Sequence, residues 1–144
     1  MHRLIYVSRS ITRFPHDLKA ILESSRRKNA RLDITGALCF LEGVYCQYLE
    51  GERADLEALY QVLLIDSRHK GVKLIELCDI NHRLFTNWAM ALVTWNKQTR
   101  ALFKALHPCD AVDLYAITTD NAAVTFNVLA QSSDWIELSP PETL

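Results

Sequence analysis

The sequence predicts an α+β sandwich: a mainly antiparallel five-stranded sheet with two helices on one face, followed by a C-terminal helical tail. Three observations carry this. Over residues 1–95 the apolar patterns alternate in the order strand, helix, strand, strand, helix, strand, strand. Both helical patterns have one apolar stripe, so each covers a sheet face on one side and meets solvent on the other. The stretch "VYCQYLEG" at residues 44–51 is apolar on both alternating faces, as a strand covered from both sides must be.

Taken in order, "RLIYVS" at 3–8 reads as the first strand. Pro15 and Asp17 open the first helix, with Leu18, Ile21, Leu22 and Ser25 at helical spacing. Arg26, Arg27 and Lys28 crowd its end, where cations suit the helix dipole. A hairpin spans about residues 34–50, its strands joined at Glu42-Gly43. "ERADLEALYQVLLID" is the second helix, apolar at Leu56, Leu59, Tyr60 and Leu63, and "SRHKG" ends it. "VKLIELCDI" and "WAMALVTW" are the last two strands, separated by the polar "NHRLFTN". This order is that of a ferredoxin-like sandwich. Residues 96–144 differ in character: "KQTRALFKAL" and "DNAAVTFNVLAQ" read as short helices, and "ELSPPETL" as a loose end. Residues 1–95 are thus expected to form one domain and 96–144 an extension packing on the sheet, its last residues flexible.

Composition narrows the function classes. A chain of 144 residues has room for one core. A net charge of −1 without a basic block argues against nucleic acid. No apolar run approaches the roughly 20 residues that span a bilayer, and "MHRLIYVS" enters a strand directly, without signal-peptide architecture. Four cysteines at 39, 46, 78 and 109 lack metal or framework spacing, as expected of free thiols in a reducing cytoplasm. Histidine spacing offers no metal site. Cys39 or Cys46 with His69 or His82 could pair as nucleophile and base, but no glycine-rich oxyanion turn or nucleophile elbow accompanies them. An enzyme is therefore not expected.

Gln47 is the residue that does not belong. It lies mid-strand among apolar neighbours, sharing a face with Tyr45 and Leu49. A buried amide left without partners costs on the order of 1–3 kcal/mol. With the first and third strands as neighbours, Tyr6 meets Gln47 beneath the helices and supplies one partner. A planar heterocycle rich in carbonyls and ring nitrogens would supply the rest. Taken singly, the other polar residues have ordinary readings: Asn29 as a helix cap, Ser25 as a helix serine, Trp88 and Met90 as core filler, Arg68 and His69 as a solvated turn. If Gln47 faces the helices, Ile5, Val7, Val44, Cys46 and Tyr48 form an apolar face on the other side. That face needs the tail or a second subunit to cover it.

"RLIYVS", "DLKAILESSRRKNARLDITGALCF", "YCQYLEGERADLEALYQVLLIDSRHKGV" and "RLFTNWAM" together resemble a BLUF domain, a blue-light sensor using flavin, nearly continuously over residues 3–90. The joint pattern of ITG, Q-x-L-E-G, D-x-R-H and F-x-x-W-x-M is specific, and the tail matches the short members that have no separate output domain. The resemblance implies a flavin ring held between the two helices. It makes Tyr6 the photoactive tyrosine, Gln47 the switching glutamine and Asn29 the partner of the flavin's pyrimidine side. Ser25, Ile21 and Leu63 become pocket residues, and Arg68 and His69 the helix-end pair beside it. Trp88 and Met90 become the strand pair that exchanges in and out of the pocket. FAD is the first cofactor expected, with FMN or riboflavin as substitutes. An unidentified downstream protein, a homodimer or larger homo-oligomer, and a cytoplasmic location are also expected. Two departures stand out: Lys28-Asn29 where many members have two asparagines, and Val62 where several have arginine. The competing expectation is a flavin-free interaction module on the same fold.

Overall fold

The computed structural model describes residues 1–11, 18–85, 90–93, 95, 97–107, 113–130 and 135–138; within these, the side chains of 18–22, 90–93, 130 and 135–138 are not described. The elements are β1 (His2–Ser10), α1 (Leu18–Arg31), β2 (Thr35–Leu41), β3 (Val44–Gly51), α2 (Arg53–Ile65), β4 (His69–Asp79), β5 (Met90–Val93), α3 (Lys97–Leu106), a 3-10 turn (Leu114–Ala116), α4 (Ala122–Ala130) and β6 (Trp135–Leu138). The expected α+β architecture is present, with a correction to the sheet. Its order is β4-β1-β3-β2-β5-β6. The first four of these strands form a continuous antiparallel block. β5 adds to β2 in parallel, and β6 closes the row beside β5. Five mainly antiparallel strands were expected; the described residues form six, β6 being the addition, and the chain crosses the sheet between β4 and β5, so β5 runs with β2. β6 also corrects the expectation of a loose end at Glu137 and Leu138, while residues 139–144, Pro15, Asp17, Trp88 and Cys109 lie outside the described residues.

Local chemistry sets these elements. Glu42 and Gly43 both have positive φ (50° and 81°), the two-residue turn whose twist matches antiparallel strands. α1 ends with Asp33 in the left-handed region (φ 55°), and the Ile34 N–H returns to the Asn29 carbonyl at 2.8 Å. Asn29 is therefore inside the helix, and Asp33 takes the left-handed position. Gly36 is required by close approach: a Cβ there would stand 2.0 Å from the Tyr48 carbonyl oxygen.

Two apolar layers sandwich the sheet. Leu4, Tyr6, Leu38, Tyr45 and Leu49 pack with Ile34 and Leu56, flanked by Leu59, Tyr60 and Leu63 of α2. On the other face Ile5, Val7, Val44, Cys46 and Tyr48 pack with Phe103 of α3, Leu114 of the 3-10 turn, and Phe126 and Leu129 of α4. The tail thus covers the face that was expected to need covering.

β4 is irregular. Ile5 pairs with Glu76 and Tyr6 with Leu74, which leaves Ile75 as a bulge, and a second shift falls between Val7 and Arg9. The tail reaches both irregular segments: the Thr119 hydroxyl donates to the Ile75 carbonyl at 2.7 Å, and the Tyr115 hydroxyl to the Gly71 carbonyl at 2.9 Å.

The segment after β4 is held by a buried carboxylate. Glu50, fully buried at the end of β3, accepts the Leu84 and Phe85 backbone N–H groups at 2.7 and 2.8 Å. Arg83 beside them donates to the Thr35 hydroxyl and to the Glu50 and Asp33 carbonyls.

Candidate functional site

β1 and β3 place Tyr6 directly opposite Gln47, on the face beneath α1 and α2. The Tyr6 hydroxyl donates to Gln47 Oε1 at 2.5 Å, within a buried environment. Burial pushes the phenol pKa well above its ordinary value, so the proton stays on Oη and the hydroxyl remains a donor. The partner that the strand pattern required of Gln47 is therefore in place.

A recess of about 70 Å³ opens beside this pair. Tyr6, Gln47, Tyr45 and Leu38 form its sheet side, Ser25 and Asn29 its α1 side, Leu59 and Leu63 its α2 side. Asp66, Arg68 and His69 close the end where α2 turns into β4. Asn29 is 1% exposed. Of the residues singled out from sequence, the structure thus brings Tyr6, Ser25, Asn29, Gln47, Leu63, Arg68 and His69 together. Ile21 lies in α1 and Met90 opens β5, but their side chains, like Trp88 as a whole, fall outside the described residues.

At the recess end Arg68 and His69 follow α2 and line the cavity. His69 is the first residue of β4, packed against the Tyr45 ring with centroids 5.0 Å apart. Its Nδ1 lies 3.0 Å from the Ser8 hydroxyl. Burial holds its imidazole below its ordinary pKa, against the opposing pull of Asp66. Arg68 grips the Asp66 carboxylate, with Nε 3.0 Å from Oδ1 and Nη2 2.8 Å from Oδ2. That contact lowers the Asp66 pKa to about 2. The turn is thus an ion-paired corner of the site.

Leu38, Tyr45 and Leu59 were not singled out as site residues from sequence, and Asp66 entered only through the D-x-R-H pattern. Tyr45 had a legible signal, being two residues from Gln47 on the same strand face, and Leu59 is one helical turn before Leu63. Leu38 had one only in hindsight, as the register partner of Gln47.

The cysteine alternative fails on geometry. Cys39 and Cys46 lie opposite each other in the tail-side layer, across the sheet from the His69 corner. Burial raises both thiol pKa values, the reverse of an activated nucleophile. Among the described residues no group of three His, Cys, Asp or Glu could hold a metal, and no helix is long and apolar enough to cross a membrane.

Comparison with known proteins places this geometry. The chain is 34% identical over 79 residues to photoactivated adenylate cyclase subunit beta of Euglena longa, and 32% identical over 79 residues to that of Euglena gracilis. In each case the match spans 54% of this chain and 9% of the relative, so the likeness is to a small part of those cyclases. Among solved structures, BlsA in its photo-activated state is 25% identical with TM-score 0.82, covering 92% of this chain and 96% of that one. BlrB, a BLUF protein in its dark state, is 28% identical with TM-score 0.71, covering 91% and 96%. Both of these likenesses extend over more than nine-tenths of each chain. Residues 1–91 match the profile described as "Sensors of blue-light using FAD". The chain belongs to the BLUF family of blue-light flavin sensors.

Proposed function

We propose that this protein is a blue-light photoreceptor in which Tyr6 and Gln47 convert absorption into a hydrogen-bond rearrangement read by a partner protein. The observation that carries the reading is the buried Tyr6–Gln47 hydrogen bond, at the wall of a recess between two helices. The residues fit a flavin. Leu38, Leu59 and Leu63 offer apolar surface to a flat ring, and Asn29, Gln47 and Ser25 offer donors and acceptors to its amide-like edge. FAD is the first cofactor proposed, with FMN or riboflavin as substitutes.

Bound flavin supplies blue-light absorption and an excited state that accepts an electron. Tyr6 is the electron and proton donor proposed here, because its phenol is protonated, buried and directed at Gln47. The Gln47 side chain has an acceptor and two donors on one planar head. Rotation of that head, or its tautomerisation, exchanges which atom meets Tyr6 and which faces the recess. Each such bond is worth about 1 kcal/mol net, so the two arrangements lie close in free energy and interconvert. Arg68 and Asp66 hold the recess end, and Ser8 and Tyr45 hold His69 there.

Residues 1–95 would form the sensory unit and 96–144 the extension that carries the response to a downstream protein. Strand β5 is the proposed exit, since Met90 opens it and the tail follows. Contiguity alone does not establish coupling.

The test is a dark-minus-light absorption spectrum of wild type and Gln47→Leu. Leucine is near in volume and apolar, so the recess should keep its shape. Wild type should be yellow and shift to the red under blue light; the variant should stay yellow and not shift. A normal shift in Gln47→Leu refutes the assigned role, and colourless wild-type protein from flavin-replete cells refutes the photoreceptor reading.

A further inference from the structure

Beyond Leu59 the cleft between α1 and α2 continues. An outer groove of about 410 Å³ shares Leu59 with the inner recess and is lined by Lys28, Arg31 and Leu32 of the α1 end and by Asp55, Ala58 and Val62 of α2. Helical spacing explains the two tiers. Ser25 and Asn29 form one stripe of α1 and face inward; Lys28, Arg31 and Leu32 form the next stripe outward. On α2, Leu59 and Leu63 are the inner stripe, with Asp55, Ala58 and Val62 beside it.

Size and chemistry divide between the tiers. The inner recess, about 70 Å³, is well below the roughly 300–1,000 Å³ of a small-molecule site, and the outer groove falls within that range. A flat ligand with its polar edge at Gln47 and Asn29 is larger than the recess, and the groove that shares Leu59 is the space adjoining it. The groove floor is apolar. Its charged groups are two cations and one carboxylate, an excess of one positive charge, and Lys28 and Arg31 are both exposed. An apolar floor with cationic rims suits an aromatic body carrying an anionic substituent. Leu32 and Val62, at 41% and 58% exposure, are the surface such a body would cover.

We propose that Lys28 and Arg31 bind the phosphate of a phosphorylated flavin, making the outer groove a phosphate-selecting subsite. The inference rests on the flavin reading above. It gives Lys28 a role at the tail of the ligand.

The test compares riboflavin, FMN and FAD binding to flavin-stripped full-length protein, by quenching of flavin fluorescence, in wild type and in Lys28→Gln/Arg31→Gln. Both positions are exposed, so the double variant should fold, and a matching thermal melt checks this. FMN and FAD should bind wild type about three- to tenfold more tightly than riboflavin at low salt, the range that exposed charge pairs support. The margin should narrow as salt rises. In the double variant FMN should fall to the affinity of riboflavin, whose own affinity should not change; Lys28→Arg should keep the preference. Equal gains for FMN and FAD assign the recognised group to the phosphate next to the ribityl chain, whereas a gain for FAD alone overturns the proposal. Equal riboflavin and FMN affinities in wild type, or a parallel loss of both in the double variant, also overturn it while leaving the flavin reading intact. Failure of all three flavins to bind overturns both.

Discussion

The Tyr6–Gln47 hydrogen bond can be weighed without light, through a double-mutant cycle. Tyr6→Phe deletes one hydroxyl and leaves Gln47 Oε1 without its 2.5 Å donor. Gln47→Leu leaves the phenol without its acceptor. Tyr6 and Gln47 are 2% and 7% exposed, so neither group regains bulk water by a small movement. A buried polar atom stripped of its partner costs about 1–3 kcal/mol, whereas replacing both partners with apolar groups of similar shape is nearly neutral. The adjoining recess, about 70 Å³, exceeds the roughly 10–15 Å³ that one water occupies. A water entering there recovers part of the loss, which places each single variant near 1 kcal/mol instead of 3. The double variant should lie within about 0.5 kcal/mol of wild type, for a coupling of about 2 kcal/mol. Urea unfolding of flavin-stripped protein measures all four corners and keeps ligand linkage out of the comparison. Simple additivity of the two single effects would mean that the two side chains do not share the bond, and the switch built on it would lose its basis.

Two further perturbations address other parts of the molecule. Phe126 is fully buried against Tyr48, with ring centroids 5.1 Å apart, on the sheet face away from the recess. Phe126→Ala should cost about 3–5 kcal/mol by denaturation while released-flavin analysis finds stoichiometry unchanged. Asp66 has its folded pKa lowered from 3.8 to about 2 by Arg68, so its ionised form stabilises the fold above pH 3.8, and this contribution disappears as pH falls through about 2. Asp66→Asn should therefore be less stable than wild type at neutral pH, and the gap should close across that acid window in pH-dependent melts. A gap that stays constant with pH would place the effect in packing.

How much of this was legible in the sequence depends on range. The Tyr6–Gln47 meeting could be inferred because strand alternation fixes faces and helix cover fixes which strands neighbour, so one amide among apolar residues pointed to its own site. α2 and the hairpin turn were readable from period and from Glu42-Gly43. β6 was not: "WIEL" is four residues beside a proline pair, and its strand state depends on pairing with β5. The ion-paired corner was obscured for a related reason. Gly71 and the charges of "SRHKG" read as a turn, yet β4 begins within it because β1 extends far enough to pair with His69. The parallel placement of β5 is a matter of topology that no local pattern records.

The two irregularities in β4 have a consequence for the addition of further strands at this margin. β4 lies at one margin of the sheet and is eleven residues long, the kind of border on which a second chain could grow further strands. A bulge at Ile75 interrupts the even spacing that such growth needs. Thr119 and Tyr115 occupy the carbonyls of Ile75 and Gly71 with side-chain hydroxyls. The tail is in this sense a stopper as well as a lid: a chain cut before Asp113 would lose both hydroxyls together with the Leu114, Phe126 and Leu129 part of the cover, and would present to its neighbours a border and a surface through which insoluble stacks begin.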